Sequence, residues 1–311
     1  MLLALIVFVA IQAVVGVRTW RVERAAPPIG ELVQVDGERL HLVDEGPRNA
    51  DAPPVVLIHG SSANLRDMRI ALGERLAENR RVIAMDRPGR GYSTRPADGY
   101  RLDVQASLIH GALEARGVRD PIIVGQSLGG AVALAYALKY QSEMSGLVLL
   151  APVSHEWPGG VDWYNHVSGW PLVGSFFNRV VIPFYGPLKA RRVVRHTFGD
   201  GDHPDDYYRR SGTALLFRPG DFANNASDLR HLKEQIAEMQ SAYGDLRLPT
   251  AILAGADDTT VSPEIHAANL ARQIEDAAVD FLPSAGHALH HTQTARVLAA
   301  IESVTARSSP N

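Results

Sequence analysis

The stretch IIVGQSLGGAVALAYAL, residues 122 to 138, sets a serine where two patterns meet. Ile122, Ile123 and Val124 form a short β-branched run, and an alanine-rich helical pattern begins just beyond Ser127. A serine hydroxyl is a poor nucleophile at neutral pH unless a base sits beside it. A G-x-S-x-G turn between strand and helix exposes that hydroxyl in a strained conformation, and side chains at the glycine positions would collide with the neighbouring elements. Residues 125 to 129, GQSLG, meet both the motif and its context, so Ser127 is the candidate nucleophile. Two other readings stand beside it. The turn could merely pack a helix on a sheet, and Gly129-Gly130 could cradle a phosphate, although neither G-x-G-x-x-G nor a P-loop lysine is present.

The partners such a serine needs are an acid and a histidine, following it in that chain order. LAGADDTTVSP (253–263) ends one late apolar run with adjacent aspartates, and LPSAGHALHH (282–291) ends the next with a histidine after glycine. Both fall where open parallel sheets place their sites, at the carboxyl ends of strands.

The elements that must hold these residues read as an α/β fold. The runs PPVVLIHG, RRVIAMD, IIVGQS and GLVLLAP alternate with helical patterns over about 65–78, 103–117 and 128–140. Continuous apolar strands of this kind belong to a mostly parallel, doubly wound sheet covered on both faces, here of about eight strands. Before them, ELVQVDGERLHLVDEG carries a hairpin signal at Asp36-Gly37. The rhythm breaks after Pro152 and resumes with PTAILAGADD, a helix near 263–274, AVDFLPSAGH and a closing helix near 289–304. The division expected is an N-terminal segment 1–24, a core in two parts (31–152 and 248–305), and an insertion, 153–247.

Composition narrows the class. The 311 residues carry 46% apolar and 21% charged side chains with net charge −3, and no basic stripe interleaved with aromatics points to nucleic acid. With no cysteine there is neither a disulfide nor a thiolate metal site. MLLALIVFVAIQAVVGV opens the chain, and Arg18, Arg21 and Arg24 follow it. Arginines after the apolar run, with no clear small-x-small site, favour an uncleaved transmembrane helix over a signal peptide. They also favour a catalytic body on the cytoplasmic side.

Taken together, these motifs resemble the α/β-hydrolase superfamily, in its capped serine-hydrolase branch, from about residue 31 to 305. The resemblance implies Ser127 as nucleophile in GQSLGG, Asp258 as acid (through Gly255, Asp258 and Val261) and His287 as base in Gly286-His287. His59-Gly60 matches the loop after the early strand, which implies the backbone N–H groups of Ser61 and Leu128 as oxyanion donors. DRPGRGYS (86–93) is similar to the loop after the following strand. Asp257 remains an alternative acid, one residue short in spacing, and Glu156 sits near where some relatives carry theirs. His59 reads as a residue that holds loop backbone. His290 and His291 read as the start of the last helix, facing solvent or the sheet edge, with no nearby carboxylate to complete a metal site. Epoxide hydrolases and haloalkane dehalogenases of the superfamily use aspartate at the elbow, so the serine disfavours both reactions.

The insertion is rich in aromatic and basic residues and resembles the cap of capped members. Trp157, Trp163 and Trp170 are the expected wall of an apolar substrate pocket. The same aromatics could form the cap's own small core, or meet a membrane interface together with the arginines. The expectation is therefore a hydrolase of a small apolar carboxylic ester, without cofactor or metal, with membrane lipid as its partner through the N-terminal helix. Hydrolysis of a carbon–carbon bond in a dienoate is the nearest alternative, with Arg179, Arg191 or Arg192 available to hold a substrate carboxylate. Acyl transfer, cofactor-free peroxidation and a non-catalytic ligand-binding member are the others.

Overall fold

The computed structural model describes residues 2–198 and 204–308. Eight strands form one sheet in the order β1-β2-β4-β3-β5-β6-β7-β8. The chain enters it through the hairpin of β1 (Glu31–Val35) and β2 (Glu38–Glu45), paired antiparallel with Val35 opposite Glu38. Asp36 and Gly37 take φ of 48° and 84°, the left-handed pair that a two-residue I′ turn demands. β2 also runs antiparallel to β4, and β3 (Val55–Ile58), β4 (Val82–Met85), β5 (Ile122–Gln126), β6 (Gly146–Leu150), β7 (Thr250–Gly255) and β8 (Ala277–Leu282) are parallel to one another.

After the N-terminal helix α1 (Leu2–Ala25), the connections supply the layers. The expected helix over 65–78 runs without interruption from Leu65 to Leu76, with a wider turn, Arg69–Gly73, between α2 (Leu65–Met68) and α3 (Glu74–Leu76). α4 (Leu102–Ala115) and α5 (Leu128–Tyr140) follow β4 and β5. Strand side chains alternate between the two faces. Ile123 packs with Leu108, Ile109, Val132 and Tyr136 of α4 and α5, whereas Ile122 and Val124 pack on the opposite side with Leu65, Met68, Val297 and Ile301. Burial on both faces is the reason these strands read as unbroken apolar runs.

Between β6 and β7 the described residues form only helices: α6 (Trp163–Ser168), α7 (Val173–Phe176), α8 (Ile182–Phe198), α9 (Tyr207–Arg210) and α10 (Pro219–Met239), with shorter turns. α11 (Ala267–Gln273) precedes β8, and the closing helix is split into α12 (Leu289–Thr292) and α13 (Thr294–Ser308). The inserted helices have a small core of their own, in which Ile182, Phe222 and Ala226 are buried and Phe177 and Phe217 pack against them.

The N-terminal segment requires a correction. It is helical, but among the described residues no helix is long and apolar enough to cross a membrane. The uncharged run of α1 ends at Val17, because Arg18, Arg21, Glu23 and Arg24 occupy its last two turns. From Leu2 that run rises about 24 Å at 1.5 Å per residue, short of a hydrocarbon core of ~30 Å. The helix instead docks on the protein. Val15 is buried, Glu23 pairs with Arg218 at 3.0 Å, and Tyr92 donates to the carbonyl of Ala26 at 2.7 Å.

Candidate active site

β5 delivers Ser127 to the sheet's carboxyl edge with φ 54° and ψ −119°, outside the usual regions for a residue with a side chain. Strain of this kind costs about 1–3 kcal/mol and persists where the surroundings over-determine it. Here the Ser127 N–H donates to Leu150 at 2.9 Å, and its carbonyl accepts from Gly130 at 2.9 Å and Val153 at 3.2 Å. The glycines answer to close packing. A Cβ on Gly125 would lie 2.4 Å from the Gly129 carbonyl oxygen, and one on Gly129 would lie 2.4 Å from that of Ile58.

The other two expected residues meet. His287, carried by the loop after β8, sets Nδ1 2.7 Å from Asp258 Oδ2, and both side chains are buried. Asp258 is aimed by its own turn, since Oδ1 accepts from the N–H groups of Thr260 (2.8 Å) and Val261 (3.0 Å). Asp257 faces solvent, and Glu156 is exposed with Lys233 3.9 Å away, so neither shares a hydrogen bond with the imidazole.

Ser127 and His287 do not hydrogen-bond to each other. Among the described residues no side-chain hydrogen bond reaches Ser127 Oγ, and Gln126 Nε2 lies 3.2 Å from His287 Nε2 instead. With the Nδ1 proton directed at Asp258, Nε2 carries the lone pair and the Gln126 amide donates to it. Nothing in the sequence distinguished Gln126 from an ordinary middle residue of the motif.

The loop after β3 is fastened from several sides. Buried His59 directs Nδ1 to the Gly60 carbonyl (2.8 Å), and its Nε2 accepts from the Arg87 N–H (3.0 Å). Burial, with Arg87 close by, lowers the pKa of this imidazole to about 3, so it stays neutral and holds backbone as expected. The Arg87 guanidinium donates to the His59 carbonyl at 3.0 Å and pairs with Asp228 of α10 at 3.0 Å. Burial lowers the pKa of Arg87 to about 10, with Asp228 opposing the shift, which leaves the group charged at neutral pH. Asn225, one helical turn before Asp228, accepts from the Ser62 N–H at 2.6 Å. The insertion thus grips the loop that carries Ser61. The backbone N–H groups of Ser61 and Leu128 have no acceptor among the described hydrogen bonds, as free donors at an oxyanion site would require.

One expectation is corrected here. His290 and His291 do not face solvent: their Nε2 atoms lie 3.0 and 2.8 Å from Oδ2 and Oδ1 of buried Asp67, to which Tyr207 also donates at 2.5 Å. A carboxylate therefore does complete a set of potential metal ligands, with ligand atoms within 4.8 Å of one another. Both oxygens of Asp67 already accept hydrogen bonds, so the carboxylate itself is satisfied without an ion, while His290 Nδ1 stays buried without a partner. Burial alone would raise the pKa of Asp67, but the two imidazoles outweigh it and hold the carboxyl well below the usual range. The three tryptophans fall in different settings. Trp163 and Trp170 are 67% and 55% exposed, and Trp157 packs beside His266 with ring centroids 5.9 Å apart. None shares a described ring or hydrogen-bond contact with Ser127 or His287; the inserted helices bury Phe222 with half-buried Phe177 beside it and leave the indoles of Trp163 and Trp170 outward.

Comparison with known proteins agrees with this fold. A family model described as alpha/beta hydrolase fold matches residues 53–196. The chain is 28% identical over 275 residues to the 2-hydroxymuconate semialdehyde hydrolase of Pseudomonas putida, covering 84% of this chain and 89% of that one. It is 27% identical over 282 residues to haloalkane dehalogenase 2 of Mycobacterium bovis, covering 85% and 90%. Among solved structures it is similar to a thermophilic esterase from Thermogutta terrifontis, with TM-score 0.69, 24% identity and coverage of 90% and 100%. Over residues 53–196 the chain thus matches the alpha/beta hydrolase fold.

Proposed function

We propose that this chain is a serine hydrolase of the alpha/beta hydrolase superfamily that cleaves a carboxylic ester of an apolar substrate through an acyl-enzyme. The observation that carries the reading is the strained Ser127 at the strand end, on the sheet edge that also bears the hydrogen-bonded Asp258–His287 pair. The Gln126 side chain leaves Nε2, and His287 takes the Ser127 proton as Oγ attacks the ester carbonyl. The N–H groups of Ser61 and Leu128 hold the oxyanion, where the loss of one donor costs ~10²–10³ in rate. The imidazolium returns its proton to the departing alcohol. Water, activated by the same base, then releases the acid and restores the serine. Asp258 keeps the ring in the tautomer that leaves Nε2 free.

The similarity to a semialdehyde hydrolase favours carbon–carbon bond hydrolysis as a second reading. That reaction needs a cation to hold a substrate carboxylate. Arg179, Arg191 and Arg192 are all exposed, which weighs against it. The dehalogenase similarity does not extend to the nucleophile, since a serine stands where that chemistry requires a carboxylate.

A fluorophosphonate probe, followed by p-nitrophenyl esters of rising chain length beside a dienoate, tests the proposal. The expected outcome is labelling that Ser127→Ala abolishes and ester turnover that rises with acyl length. Turnover of the dienoate alone would replace the ester reading, and an unlabelled wild type would point to a ligand-binding protein.

A further inference from the structure

The inserted helices and α1 share an exposed surface whose composition is unlike the rest of the chain. Residues 163–198 hold five basic side chains and no Asp or Glu, and residues 1–22 hold two arginines and no acid, in a protein where acids outnumber bases 34 to 31. The same segments expose large apolar side chains. Phe176, Phe184 and Leu188 are spaced by helical turns along α7 and α8, with Leu188 78% exposed, and Leu172 just before them is 89% exposed. α1 extends this face. Its buried Val15 turns toward the protein, while Val14 and Val17 are about half exposed. Arg18 of α1 lies 4.8 Å from the ring centroid of Phe184, which places the two helices side by side. Lys189, Arg191, Arg192 and Arg195 continue along α8, and Arg21 and Arg24 along α1.

We propose that α1, α7 and α8 together form a docking face for an anionic lipid bilayer, on which the protein lies without crossing it. Contiguous exposed apolar surface with a polar rim marks an interaction site, and this rim is basic, the one acid among its α1 residues, Glu23, being paired with Arg218. Apolar groups entering the headgroup boundary and basic groups meeting anionic lipid are the two signals that stable peripheral binding requires. A second copy of the chain fits the face poorly, because a two-fold contact would set basic rims against each other. The charge asymmetry also explains why an apolar helix can end in arginines and still be useful: the cations sit at headgroup depth while the valines enter the acyl boundary. The proposal does not depend on which bond the enzyme cleaves.

The test is flotation of the full-length protein with phosphatidylcholine vesicles, with and without about 30 mol % phosphatidylglycerol. The protein should float with the anionic vesicles, far less with the neutral ones, and less again at high salt. Arg191→Glu with Arg192→Glu should cut the anionic partition by about tenfold or more. Leu172→Glu with Leu188→Glu should do the same while circular dichroism and the melting temperature stay at wild-type values, since all four side chains are exposed. The proposal is overturned by any of three results: no flotation, flotation indifferent to lipid charge or to both double variants, or a dimer lost on Leu188→Glu in a protein that ignores vesicles.

Discussion

Two histidine–aspartate clusters, whose histidines His287 and His290 lie three residues apart after β8, are wired oppositely. His287 offers Nδ1 to Asp258 and turns Nε2 toward the elbow, where its contact is the Gln126 amide. His290 and His291 spend Nε2 on Asp67, which Tyr207 of the insertion also reaches, and His290 Nδ1 is left buried without a partner. A histidine beside a carboxylate is thus not in itself a catalytic sign. What separates the two is whether a ring nitrogen with a free lone pair faces a place where a substrate can arrive. Asp258 is aimed by N–H groups of its own turn, an arrangement that fixes orientation; Asp67 is satisfied by side chains from the insertion and α12, an arrangement that ties the cap to the core.

Asymmetric substitutions sharpen this contrast. Asp258→Asn should lower kcat for ester hydrolysis by about 10⁴-fold, because the asparagine cannot hold the required tautomer. If the loss is only a few-fold, His287 has another orienting partner and the contrast breaks.

Asp67→Asn should act on stability, removing about 3 kcal/mol or more by stripping three donors of a buried carboxylate. Its labelling by the fluorophosphonate should remain within a few-fold of wild type. The deficit should depend on pH in a defined direction. The folded-state pKa of Asp67 lies below its unfolded value, so the unfolded chain binds the proton first as pH falls. The stabilisation is therefore present above the ordinary carboxylate range and disappears as pH drops through the depressed pKa, where the melting temperatures of variant and wild type should converge. A catalytic loss with an unchanged melting temperature would place Asp67 in the wrong cluster.

The smallest effect is expected at Gln126. Replacing it with leucine removes one neutral hydrogen bond to Nε2, worth about 0.5–1.5 kcal/mol, and should speed probe labelling several-fold. A strong loss of rate would instead make the amide a supporting group for the reaction, which single-turnover labelling of Gln126→Leu resolves from Gln126→Asn.

Much of the molecule was legible in the chain itself. Ser127, the hairpin at Asp36-Gly37, and the eight strands follow from patterns a few residues long, because backbone sterics at a glycine and the alternation of side chains on a strand are local. Asp258 was preferred over Asp257 by spacing, and the fold places Asp258 inward because its carboxylate caps the turn that Gly255 begins. The partners that come from afar were not legible. Asp67 stands 223 residues before His290, and Asp228 stands 141 after Arg87, so only closure of the sheet and docking of the insertion could bring either pair together. The direction of Trp163 and Trp170 and the docking of α1 were hidden for the same reason. Periodicity says that a segment has an apolar side, but which surface covers that side is settled by long-range packing, whose energy exists only once the chain has folded.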